Sequence, residues 1–161
     1  MLIAAHQAEE LEALGLVGNV QYDPLAITRD REGPGEREAW TLTERYVAGI
    51  VRLARQRGAG VAIVLYPHAQ QVSADESPVG RRKVGAGPGF HSAERPFQRM
   101  EAIGGRVEAP VINLVALFRE RSARDGRLFF EDDMHHNERG ARVFAEGVVS
   151  GLVGAGLIPC D

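Results

Sequence analysis

The sequence predicts an α/β fold built on a parallel sheet, and three observations carry that expectation. Residues 41–57 form an amphipathic helical run, an unbroken β-branched run Val61–Leu65 follows it, and the same order of helix then strand returns in Ser92–Ile103 and Val111–Val115. Strands that read as continuous apolar runs are covered on both faces, which is the condition of a strand inside a parallel sheet.

Taken in order, residues from about Ile3 to Leu14 are rich in Ala, Glu and Leu and read as a short helix ended by Gly15, and Gly18 to Gly35 reads as loop, punctuated by Asn19, Pro24 and Pro34. Thr41-Leu42-Thr43-Glu44 fits a capping box, and Leu42, Tyr46, Ile50 and Leu53 then recur at helical spacing until Gly58. Tyr66-Pro67-His68 ends the first strand. Ala69 to His91 is a polar segment dense in Gly and Pro and is expected to be a long loop. Gly104-Gly105 is expected to close the helix begun at Ser92. After the strand Val111–Val115, Leu117–Ala123 reads as a short helix. Leu128-Phe129-Phe130 leads into an Asp/His loop, from which Asn137 caps a last helix running to about Leu152.

Composition narrows the function. A chain of 161 residues with 44% apolar content is long enough for one cored domain and too short for two. A net charge of −3 argues against nucleic acid as partner, because no basic face is available to displace counterions from phosphates. The apolar runs are well short of the ~20 residues of a spanning helix, so no membrane span is expected. Cys160 is the only cysteine and permits neither an internal disulfide nor a thiolate metal site; the compartment stays unassigned.

The chemistry concentrates in Asp132-Asp133-Met134-His135-His136-Asn137. An imidazole acting as base needs a neighbour that fixes its tautomer and stabilises its charged form, and an Asp three residues before a His can supply this within one loop. Asp132 and Asp133 both stand within reach of His135. Asp132, Asp133, His135 and His136, with His68 or His91 from afar, are also a candidate metal set, but adjacent histidines diverge and the His-x-x-x-His spacing of a helical zinc site is absent. His68, Gln70 and Gln71 follow a strand end and are candidates for substrate contact. The Gly85–Gly89 run lacks the lysine and hydroxyl of a phosphate loop, and Trp40 and Tyr66 read as packing residues.

Asp132-x-x-His135-x-Asn137-x-x-Gly140, leading into an Ala-rich amphipathic helix, resembles the last block of the SGNH (GDSL-type) hydrolase family. The resemblance covers roughly Thr41 to Leu152, and only the final block is specific. It implies a three-layer α/β/α sandwich around a parallel sheet, of the flavodoxin-like SGNH kind. It also implies a serine esterase, or an acyltransferase, acting on small-molecule or carbohydrate esters, with Asp132 and His135 as the catalytic pair and Asp133 as the rival for Asp132. His136 stands where many members carry proline. No cofactor is expected.

The chain departs from that family at the nucleophile. Its five serines are Ser73, Ser77, Ser92, Ser122 and Ser150, and none follows a buried strand in a Gly-flanked turn. The expectation is therefore a single partial domain over 1–161, incomplete at its N-terminus and inactive alone. Its strand Val61–Leu65 would expose an edge and make the chain self-associate. The rival expectation is a non-catalytic interaction module of the same fold.

Overall fold

The computed structural model describes residues 35–83 and 94–159. The helix expected over Ile3–Leu14, the loop before Gly35 and the run Gly85–Gly89 lie outside them. Within the described residues the fold is mixed α/β, mostly helical, about a two-stranded parallel sheet.

Helix α1 spans Glu36–Gln56 and begins five residues before the expected cap. Gly35, in the left-handed region at φ 85°, turns the chain into it, and Glu36 and Glu38 place negative charge in the first turn, where the helix dipole favours it. Thr41 and Thr43 are consequently inside the helix. Their hydroxyls donate to the carbonyls of Arg37 and Ala39, one turn back, at 2.9 and 2.8 Å. Glu44, the expected partner in the cap, instead accepts a bidentate pair from Arg106.

Strand β1 is Ile63–Leu65 and pairs in parallel with β2, Val111–Asn113, in the register Ile63 to Val111 and Leu65 to Asn113. Side chains alternate across the pair, as strand geometry requires. Ala62, Val64, Ile112 and Leu114 meet a cluster containing Phe118, Leu128, Phe129 and Val143, whereas Ile63, Leu65 and Val111 meet one containing Phe97 and Val115. The buried apolar runs read from the sequence are thus covered on both faces.

The segment Ala69–His91, expected as loop, forms two short helices in its described part: α2 at Ala69–Val72 and α3 at Pro78–Lys83. Helix α4, Arg95–Arg106, packs against both strands. It ends at Arg106, one residue beyond the expected Gly104-Gly105, whose carbonyls accept the N–H groups of Ala109 and Glu108 that follow; Gly104 is also where helix and strand meet, since a β-carbon there would lie 2.1 Å from Val111 Cγ2. Helix α5, Val115–Asp125, starts two residues before its expected position. The last helix, α6 at Glu138–Gly154, begins as predicted, with the Asn137 side chain accepting the Gly140 N–H at 3.0 Å.

Candidate functional site

The Asp/His loop is a closed turn whose two ends are bridged by Phe129 and His136 in antiparallel fashion. Phe130 N–H donates to the His135 carbonyl at 3.1 Å, and Asn137 N–H donates to the Leu128 carbonyl at 2.9 Å. The Asn137 side chain also donates to the carbonyls of Arg127 and Phe129, so one residue caps α6 and fastens the loop's entry strand. Gly140 is required by this arrangement, since a β-carbon at that position would sit 2.0 Å from the Leu128 carbonyl oxygen.

The segment 76–83 grips the loop from the other side. Glu76 is fully buried, and its carboxylate accepts the Ser122 hydroxyl at 2.7 Å, the Leu128 N–H at 2.9 Å and the Phe129 N–H at 3.2 Å. The Ser77 hydroxyl donates to the Asp133 carbonyl at 2.7 Å. Val79 and Gly80 donate their N–H groups to the Glu131 carbonyl, and Lys83 Nζ donates to the Asp132 carbonyl at 2.8 Å. A region lacking helical periodicity in the sequence therefore fixes the loop that carries the chemistry. The Ser77-Pro78 pair, a capping residue followed by proline, is the local signal for α3. A buried carboxylate such as Glu76 leaves no sequence signal.

Within this frame His135 meets Asp133, not the expected Asp132. Asp133 Oδ1 accepts the His135 backbone N–H at 2.7 Å and also the ring Nδ1. The reason lies in how the fold holds the loop: Lys83 fastens the Asp132 backbone, and the turn so fixed folds Asp133 back over the residue two positions on, in the manner of an Asx turn. These bonds, the one from the His135 backbone first and the one from its ring second, hold the Asp133 carboxyl below the usual carboxylate range. A carboxylate only accepts, so Nδ1 carries the proton and the lone pair of His135 is on Nε2. The His135 side chain is 86% exposed.

His136 turns inward. Its ring packs against Phe118, Phe129, Tyr66 and Phe144 at centroid distances of 5.0, 4.9, 5.3 and 5.9 Å. Its buried Nε2 has no hydrogen-bond partner, and burial lowers its pKa below the ordinary imidazole value. The two rings diverge, and among the described residues no group of three or more His, Cys, Asp or Glu is placed to hold a metal. His91 lies outside the described residues.

Beside the loop is an apolar cavity of ≈ 160 Å³ at the carboxyl end of β1. Trp40 from α1, Tyr66 and His68 from the strand end, Gln71 from α2, and Phe97 and Met100 from α4 line it. Of the three residues picked for substrate contact, His68 and Gln71 reach this cavity, whereas Gln70 is fully buried with both amide atoms unpartnered. Trp40 and Tyr66, read from the sequence as packing residues, are cavity walls. Tyr66 faces both ways, since it also contacts the His136 ring edge-on.

Of the described serines, Ser77 and Ser122 are engaged with the Asp133 carbonyl and Glu76, and Ser73 accepts the Asp75 N–H. Among the described residues no serine hydroxyl is bonded to His135. No helix among them is long and apolar enough to cross a membrane. Comparison with family models, with curated proteins and with solved structures found no match for this chain.

Proposed function

We propose that this chain supplies the acid–base half of a serine ester hydrolase site of the SGNH type, with His135 as base, Asp133 as the residue that orients it, and the serine lying outside the described residues. The observation that carries the reading is the Asp133–His135 hydrogen bond at Nδ1, which leaves the basic Nε2 turned to solvent. A base in that tautomer can take a proton from a serine hydroxyl and return it to the leaving alcohol, while the carboxylate stabilises the imidazolium between the two steps. In this reading the family register of Asp132 is shifted by one residue to Asp133.

The two strands with helices on each face fit as part of a wider three-layer α/β/α sandwich. Residues 63 and 65 direct backbone groups at β2, so those of Val64 point to the other side. No strand among the described residues pairs with that edge, and a further parallel strand bearing the serine would fit there.

The test is hydrolysis of short p-nitrophenyl esters, assayed with this chain alone and with any in-frame sequence preceding Met1 included. Activity restricted to the longer form and abolished by His135→Ala supports the reading; activity that survives His135→Ala refutes it. Acyl transfer to a sugar hydroxyl in place of water uses the same groups and is distinguished by product analysis. The exposure of the His135 ring favours a second reading, a non-catalytic interaction module, for which no ester turnover is expected in either form.

A further inference from the structure

The cavity at the end of β1 has a shape and chemistry of its own. Its walls are aromatic rings, a thioether and aliphatic side chains, and its polar groups are few. The Gln71 carbonyl oxygen is occupied by the His68 backbone N–H at 2.9 Å, so what that amide can offer a ligand is its donors. His68 stands at the rim, and partial desolvation there lowers its pKa below the ordinary imidazole value, which disfavours its charged form. A neutral polar rim over an apolar floor suits an uncharged ligand with one hydrogen-bonding head and a hydrocarbon tail.

We propose that this cavity binds a short acyl chain, with about six carbons as the preferred length, its tail against Trp40, Phe97 and Met100 and its carbonyl at His68 and Gln71. The length follows from volume. At ≈ 160 Å³ the space is of the size class that admits one benzene ring, six carbons in all. Its place also fits: ligands of parallel α/β folds sit beyond the carboxyl ends of strands. One ring, that of Tyr66, separates the cavity from His136 and hence from the loop carrying His135. Naming the tail as the acyl part of an ester rests on the hydrolase reading above, whereas the preference for a neutral carbonyl compound of this length does not.

Trp40 is the only tryptophan of the chain and lies in the cavity wall, so its fluorescence reports occupancy directly. Titration of the chain with hexanamide is expected to give a saturable change that acetamide does not produce, with hexanoate binding more weakly because its charge must leave water. Met100→Ala should move the preferred chain from hexanamide toward octanamide, and Met100→Phe toward butanamide, at unchanged helical circular dichroism. A linear, unsaturable response, or one that acetamide reproduces, overturns the proposal, as does a length preference indifferent to both Met100 variants. The two readings fail separately. Hexanamide binding without ester turnover in the longer form removes the hydrolase and leaves the cavity, while turnover indifferent to acyl length removes only the cavity's role.

Discussion

Asp133 accepts two hydrogen bonds from one residue, His135, the first from its backbone and the second from its ring. Because the folded carboxyl titrates below its unfolded value, this pairing contributes stability above the ordinary carboxylate pKa, and that stability disappears as the pH falls through the folded value. His135→Ala removes the ring bond and keeps the backbone one. The Asp133 midpoint is therefore expected to rise only part of the way to the usual value, as read by carboxyl-carbon NMR. A response confined to Asp132 would return the pairing to that residue.

Glu76 holds the loop's entry strand. Replacing it with Ala removes the acceptor of two buried backbone N–H groups and of the Ser122 hydroxyl, and each stranded group costs about 1–3 kcal/mol. Chemical denaturation should show Glu76→Ala destabilised by about 3 kcal/mol or more, and the Asp133–His135 hydrogen bond should be broken even in the fraction that remains folded. Unchanged stability would mean that the loop is held from elsewhere.

His136 is an imidazole in a place built for a phenyl ring. With its folded pKa lowered, the unfolded state takes up a proton that the folded state refuses, so stability falls as the pH drops below about 6.5 and levels off beneath the folded value. His136→Phe should be tolerated or stabilising by about 1 kcal/mol, since it removes a buried nitrogen that has no partner. The variant should also show a shallower loss of melting temperature between neutral and mildly acidic pH than the parent. Equal slopes would contradict the burial of this ring.

Leu42, Tyr46, Ile50 and Leu53 form a continuous stripe on α1 and are 40, 66, 63 and 53% exposed. Such a stripe on a soluble surface promotes association. Light scattering over a concentration series is expected to show self-association that the double change Leu42→Glu, Ile50→Glu suppresses, at a melting temperature within about 1–2 °C of the parent because neither residue is in the core. A marked fall in melting temperature would show that the stripe is covered in solution.

The same stripe shows what periodicity can and cannot determine. Spacing alone identified α1 as a helix, because apolar residues at i, i+4, i+8 and i+11 fall on one face. It could not say that these four residues would be exposed among the described residues, with Val51 on the other side taking the buried place. The unbroken apolar runs located both strands because side chains on both faces of the sheet pack against buried clusters, but they overstated the length: the strands are Ile63–Leu65 and Val111–Asn113, and Val115 already belongs to α5. The Asn137 cap was legible for a similar reason: its partner, Gly140, is three residues away.

What the sequence determined by itself is local: two strands, the principal helices among the described residues, and a loop in which an imidazole and a carboxylate are within reach of one another. The tertiary structure alone decided which carboxylate meets the ring. That choice depends on Lys83, Ser77 and Glu76, which are distant in sequence and hold the loop by its backbone, and hydrogen bonds to backbone atoms leave no pattern in side-chain identity. The cavity lined by Trp40, Tyr66, Gln71 and Met100 has the same origin, since elements distant in sequence form its walls and none of them shows alone which of its residues will face the opening.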